Sequence, residues 1–334
     1  MFRKYPELEV KFFDMTLDNP IGLAAGFDKD AEAVSGLTKA GFGFVEVGTV
    51  TPLPQVGNPQ PRIFRLTEDH AVINRCGFNN AGYEHVAENL RRFWASSSLS
   101  KVSRNGISTA VCVGVSLGKN RDSTDFVSDY CSGLEKFDSL ADYFVLNVSS
   151  PNTYGLRNLQ YKKDLQVLLK AAAKVRAANP VLQQKPVLLK VSPDLTEAEK
   201  KDIAALCLDK RSSIDGLIIS NTTISRPATL RSGLSGELGG LSGAPLKYLA
   251  LQCVRDFYRL TKGKVPIIGC GGIESGKDAY DFIKAGASLV QLYTAIVYNG
   301  FPVVGTVKRE LSELLKQDGF SRVEDAVGTY SKGP

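Results

Sequence analysis

The chain has 334 residues, of which 43% are hydrophobic, and a formal net charge of +6. Its Lys and Arg are interleaved with Asp and Glu and form no like-charged block, so the charge reads as a solvated mixed surface rather than a nucleic-acid face. The six cysteines show no C-x-x-C pair and no zinc spacing, and the two histidines, His70 and His85, lack a nucleophile-elbow context. A disulfide framework, a histidine-based metal site and a Ser-His-Asp triad are therefore all disfavoured.

The length suits one large α/β barrel, a fold that runs well past the ~150 residues of an average domain. The opening segment MFRKYPELEV lacks the apolar stretch of a signal peptide. Residues 285–307 carry no charge and are long enough to cross a bilayer. They contain Gln291, Asn299, three glycines and Pro302, and so read as a buried strand, a turn and a helix start.

Eight short apolar runs follow in order: NPIGLAAG (19–26), FVEVGTV (44–50), TAVCVGVSLG (109–118), YFVLNVSS (143–150), PVLLKVS (186–192), GLIISNT (216–222), VPIIGCGG (265–272) and LVQLYTA (289–295). Helix-like stretches lie between them, at Ala31–Ala40, Leu159–Ala178, Thr196–Asp209, Leu246–Leu260 and Lys277–Ala285. Strands that are apolar throughout are expected when both faces of a parallel sheet are buried. Eight strand-helix units predict a closed (β/α)8 barrel, with an open doubly wound sheet as the alternative. Between the second run and the next helix lies a Pro- and Gly-rich insert, residues 51–82. It is too long for a bare connection and is expected to form hairpins over the barrel mouth.

The carboxyl ends of barrel strands build the active site. In this chain they carry Ala24, Ala25 and Gly26, then Asp28 and Lys29; Gly48 and Thr49; Ser116; Asn147, Ser149, Ser150 and Asn152; Lys190; Ser220, Asn221 and Thr222; Gly271 and Gly272; and Tyr293 and Thr294. The set is rich in amides, hydroxyls and glycines and poor in His and carboxylates. It suits a planar ligand with many carbonyl and N–H groups plus an anion. It does not suit metal-assisted or glycoside hydrolysis. Each group also has a plainer reading. Lys190 is costly to bury unpaired and fits either an ion pair or an anionic ligand. Lys29 fits a surface salt bridge with Asp28, Ser150 fits a turn before Pro151, and Asn147 and Asn221 fit structural capping. Gly269, Gly271 and Gly272 let backbone N–H groups approach a phosphate, to which GGLSG (239–243) adds further donors, unless it is an ordinary flexible loop.

The segments NPIGLAAGFDK, GFGFVEVGTVTP, NPQPRIFRL, INRCGFNN, LGKN, NVSSPNTYGLR, KVSPDL, NTTISRP, GGLSG, VPIIGCGG and GASLVQLYTA resemble, in order and spacing, the dihydroorotate dehydrogenase family from about Asn19 to about Gly319. Ser rather than Cys at position 150 resembles the quinone-dependent class 2. The resemblance implies one FMN-binding barrel domain over residues 1–334, acting in pyrimidine biosynthesis. Ser150 would remove the C5 proton of dihydroorotate while the C6 hydride goes to flavin N5. Thr153 would relay the proton and Phe78 would exclude solvent. Lys29, Asn74, Asn147, Asn152, Asn221 and Thr222 would hold the substrate. FMN would be bound by Ala24, Ala25, Gly48, Thr49, Ser116, Asn147, Lys190, Ser220, Ser242, Gly243, Gly271, Gly272, Tyr293 and Thr294. Arg65 and Tyr293 would be the barrel's share of a site for a ubiquinone-type quinone. No metal and no nucleic acid is implied.

Three departures qualify the resemblance. Ser116 stands where the family has Asn, Ser220 stands where close relatives have Thr, and the helical pair that forms the quinone tunnel is not seen before strand 1. The last leaves peripheral contact with the mitochondrial inner membrane dependent on an upstream region. The rival readings are a class 1-like enzyme using fumarate or NAD, and a flavin-binding barrel without turnover.

Overall fold

The computed structural model describes residues 4–96, 112–212 and 214–331. Its centre is a closed barrel of eight parallel strands: β1 (Ile21–Leu23), β2 (Phe44–Val50), β3 (Cys112–Leu117), β4 (Tyr143–Asn147), β5 (Val187–Val191), β6 (Gly216–Ile219), β7 (Ile267–Cys270) and β8 (Leu289–Leu292). Each strand pairs with the next, and β8 closes on β1 through Gln291 opposite Gly22. The eight strands are the eight apolar runs of the sequence, and every residue of each is buried. Residues 109–111 of the third run lie outside the described residues.

The outer helices bury one face each against this barrel. Those at Glu197–Leu208 and Gly276–Ala285 begin at capping boxes, Thr196 with Glu199 and Ser275 with Asp278, which satisfy N–H groups left free at a helix start. The expected helices at 31–40 and 159–178 are shorter than foreseen, at Val34–Thr38 and Lys162–Ala178. In the second, Leu156–Gln160 forms a separate 3-10 turn that ends in extended Tyr161. Helices at Gly82–Ser96 and Phe126–Lys136 complete the second and third units. The stretch 285–307 resolves into β8, a short helix at Thr294–Asn299 and the start of the helix Pro302–Gln317. Among the described residues no helix is long and apolar enough to cross a membrane.

The two ends of the barrel are dressed differently. A hairpin of Val10–Phe12 and Met15–Leu17 packs at the amino end, where Met15 Sδ meets Cys112 Sγ at 3.7 Å. At the carboxyl end, the 51–82 insert forms an antiparallel pair, Ile63–Leu66 and Ala71–Asn74. The pair gains a third strand, Gly240–Gly243, from the connection after β6. GGLSG is thus a strand rather than a loose loop. Its Gly240 is required by close approach, since a Cβ there would sit 1.9 Å from Thr222 Oγ1. This sheet brings Arg65, Asn74 and Ser242 to the barrel mouth.

Candidate active site

A cavity of about 320 Å³ opens at the carboxyl end of the strands and under the three-stranded sheet. Strand ends supply Ala24, Ala25, Lys29, Thr49, Asn147, Ser150, Asn152, Lys190, Ser220, Asn221, Thr222, Gly271, Gly272, Tyr293 and Thr294 to its wall. The insert and its third strand supply Arg65, Asn74, Phe78, Ser242 and Gly243. Residues separated by up to 270 positions in sequence therefore share one surface.

Its centre is an amide and hydroxyl network. Asn147 donates through Nδ2 to Thr49 Oγ1 at 2.8 Å, and its Oδ1 accepts from Asn221 Nδ2 at 3.2 Å. Asn221 also donates to Ser149 Oγ at 3.0 Å, and Ser149 Oγ donates to the Lys190 carbonyl at 2.7 Å. Asn152 donates to Asn74 Oδ1 at 3.0 Å, joining the connection after β4 to the insert. The backbone N–H of Asn152 donates to Ser150 Oγ at 3.3 Å, so the turn before Asn152 also aims the Ser150 hydroxyl. The structural reading of these asparagines holds, since they bond to one another, and they also face the cavity.

Two ammonium groups stand on this wall. Lys29 donates to Asn79 Oδ1 at 2.5 Å. It makes no salt bridge with Asp28, whose carboxylate instead accepts from the N–H groups of Glu32 and Ala33. Burial pushes the Lys29 ammonium below the ordinary lysine value; Cys76 opposes this, and Arg62 adds to it. Lys190 lies 3.9 Å from the buried carboxylate of Glu46. Burial lifts the Tyr293 phenol to about 12, and its hydroxyl donates to the Gly26 carbonyl at 3.1 Å.

Thr294 Oγ1 and Ser242 Oγ, 2.9 Å apart, mark another part of the wall, beside Gly243, Gly271 and Gly272. Gly243 has φ +94°, and a Cβ there would collide with the His70 carbonyl. Glu274 lines the same region, and burial raises its carboxyl above the usual range.

Three expected residues stand elsewhere. Ser116 is fully buried behind Thr49, with which its hydroxyl shares a 2.9 Å hydrogen bond, so it supports the wall without lining it. Gly48 likewise lies off the cavity surface. Thr153 lines a second cavity of about 390 Å³, on the far side of the 150–154 turn, together with Asn58, Arg75, Arg121 and Tyr154. Its Oγ1 is buried without a hydrogen-bond partner, and Asn152 and Gly77 border both cavities.

Sequence reasoning passed over Glu46, Gln291, Arg157, Cys76 and Glu274. The signal for Glu46 and Gln291 was available: each is a polar residue in an apolar strand, the feature that singled out Lys190. Arg157, inside NVSSPNTYGLR, gave no such signal, because its role depends on three connections meeting in space.

The fold and this mouth together define a (β/α)8-barrel enzyme of the oxidoreductase kind, with amides, hydroxyls, the buried Lys190 ammonium and the half-buried Lys29 ammonium gathered at the strand ends. The Dihydroorotate dehydrogenase family profile matches residues 7–315. The mitochondrial dihydroorotate dehydrogenase (quinone) of Mus musculus is 52% identical over 321 residues, covering 96% of this chain and 79% of that protein. The dihydroorotate dehydrogenase (quinone) of Rhodospirillum rubrum is 50% identical over 330 residues, covering 98% and 85%. The crystal structure of ligand-free DHODH from Eimeria tenella superposes with a TM-score of 0.91 at 45% identity, covering all of this chain and 94% of that one. The chain belongs to the dihydroorotate dehydrogenase family, in its class 2.

Proposed function

We propose that the chain, as one FMN-binding barrel, oxidises dihydroorotate to orotate and passes the electrons to a ubiquinone-type quinone, and that Ser150 is the base. The carrying observation is that Ser150 shares one cavity with Lys29, Lys190 and the four amides of Asn74, Asn147, Asn152 and Asn221. The family is flavin-dependent, and the residues present fit such a group. Gln291 Oε1 and Thr222 Oγ1 are buried on this wall without hydrogen-bond partners, as expected where a polar ligand completes the set. FMN, when bound, supplies the hydride acceptor for substrate C6.

The residues around it would then divide the work. Lys190, Ala24, Ala25, Thr49, Ser220 and Tyr293 would hold the ring system. Ser242, Gly243, Gly271, Gly272 and Thr294 would hold the phosphate. An Asn amide offers both a donor and an acceptor, which matches a lactam edge, so Asn74, Asn147, Asn152 and Asn221, with Thr222 beside them, orient the substrate ring. Lys29 neutralises the substrate carboxylate. Ser150 takes the C5 proton, a demanding task for a hydroxyl that requires a dry site and an outlet for the proton. Phe78, 8% exposed, helps to keep the site dry. Thr153, on the second cavity, is the outlet in this reading. Arg65 and Tyr293 serve the quinone at the rim.

The mouse relative is named mitochondrial, which supports a mitochondrial location, whereas the bacterial relative carries no such label. Purified protein decides the function. Yellow flavin absorbance that dihydroorotate bleaches, and that a quinone restores where fumarate and NAD do not, is the expected result. Colour that dihydroorotate leaves unchanged would sink the assignment.

A further inference from the structure

Glu46 is the one carboxylate among the described residues that is both fully buried and in ion-pair range of the cavity wall. It sits in the middle of β2, opposite Gly114 of β3. A Cβ at Gly114 would fall 2.1 Å from the Tyr143 ring, so the absence of a side chain there lets Tyr143 lie across the barrel interior. The Tyr143 hydroxyl donates to Glu46 Oε2 at 3.3 Å, and Gln291 Nε2 donates to the same oxygen at 2.6 Å. The other oxygen, Oε1, has no hydrogen-bond partner and faces Lys190 Nζ at 3.9 Å.

The division of labour between the two oxygens is informative. Two donors from β4 and β8 fix the carboxylate in place, and its free side is turned to the ammonium. At 3.9 Å the pair attracts without a normal hydrogen bond, which leaves the Lys190 donors available to the cavity. A buried charge without a partner is strongly unfavourable, so each member of the pair depends on the other. Lys190 is the cation proposed to face the flavin, and a negative charge behind it opposes its pull on the electrons that a flavin gains.

We propose that Glu46 is a positioning residue for Lys190: it holds the ammonium at the cavity floor and, as its counter-charge, restrains how strongly the site favours reduced over oxidised flavin. This rests on the flavin reading above. The mechanism so far assigns Glu46 nothing, and a purely structural barrel residue would leave the flavin potential unmoved.

The test is E46Q in the full-length holoprotein, with E46D and K190M alongside. Glutamine keeps the shape and a bond to Gln291 but removes the charge. The ratio of reduced to oxidised flavin at a fixed potential is expected to rise about tenfold, equivalent to ~30 mV upward for a two-electron couple. E46D keeps the charge and is expected to stay near wild type, while K190M shifts the ratio the opposite way. Thermal unfolding of E46Q, K190M and the double variant gives an independent reading, in which the double variant loses less stability than the two single losses summed. A ratio changed less than twofold in E46Q, or additive stability losses, overturns the proposal. If E46Q alone does not fold, a folded E46Q/K190M supports the pairing, whereas failure of both places Glu46 in the scaffold and overturns it. Wild-type protein that takes up no flavin defeats the flavin reading itself; bound flavin at an unchanged potential in E46Q defeats only this inference.

Discussion

The Arg157 guanidinium donates to Asp194 Oδ2 at 2.8 Å, and from that anchor it reaches the carbonyls of Ser149 at 3.1 Å and Thr222 at 3.0 Å. One side chain thus ties together the connections after β4, β5 and β6. Asp194 also accepts from Thr223 Oγ1 and, at 3.0 Å, from the Ile224 N–H. Arg157→Ala removes three hydrogen bonds, one of them from a mostly buried ion pair, and is expected to cost about 3 kcal/mol. It also releases the turn that carries Ser150. A misplacement of ~1 Å at a reacting group lowers rates by about 10²-fold. Thermal unfolding and single-turnover flavin reduction measure the two effects. Lysine at 157 keeps the charge but loses the fork, and is expected to restore part of the stability and little of the rate.

Ser150→Ala tests the base. Among the described residues Ser150 Oγ accepts only a long bond of 3.3 Å from the Asn152 N–H, so its loss leaves the wall intact. Bound flavin and its spectrum are expected to be unchanged, while reduction by dihydroorotate at neutral pH falls by at least 10²-fold. Stopped-flow bleaching at the wild-type rate would refute the assignment.

In the proposed function, Lys29 sets an alkaline limit on substrate binding. Its charged form is proposed to hold the substrate carboxylate, and burial lowers the pH at which that charge is lost. kcat/KM for dihydroorotate, which follows the free enzyme, is therefore expected to fall with rising pH earlier than an ordinary lysine would allow. Lys29→Met should remove this limb and raise KM at neutral pH, and a pH profile of both proteins checks the pair of statements. The stability contribution has the opposite sign. The folded-state value lies below the unfolded one, so the penalty for burying this charge is relieved as pH rises through the folded value.

Glu274 places a carboxylate where the phosphate is proposed to bind. Burial raises its folded-state value above the unfolded one, so between these two values the folded protein holds the extra proton. Stability therefore falls as pH rises through this window. Glu274→Gln is expected to stabilise the protein above it and to have no effect below the unfolded value. Removing the like charge should also tighten FMN binding by about 1 kcal/mol, roughly fivefold, at a site that remains partly hydrated. Flavin titration of stripped protein at pH 7 and thermal unfolding at acid and neutral pH measure the two effects. Weaker FMN binding in the variant would contradict the placement of the phosphate.

Much of the fold is legible in the sequence because the barrel writes itself there repeatedly. A strand buried on both faces must be apolar along its length, and a polar residue that ends such a strand must find partners. Those two rules locate all eight strands and most of the mouth, including Lys190 and Asn221. The boundaries were less legible: Tyr161 breaks the expected helix at 159–178 because its extended backbone serves as the cap of the helix that follows. Ser116 shows the limit for side chains. Its position at the end of β3 placed it at the mouth, but its hydroxyl turns to Thr49. Thr153, three residues after Ser150, turns to the opposite side of the same loop.

By itself the sequence determined the barrel, the family and the set of strand-end residues, because these follow from local pattern and chain order. Only the tertiary structure decided which of those side chains share a surface, that GGLSG becomes the third strand of the cover, and that Arg157 binds three connections at once. It also decided that Glu46 stands behind Lys190. These relations join residues from different strands, and barrel closure brings them together through the stagger and twist of the sheet, which no single segment encodes.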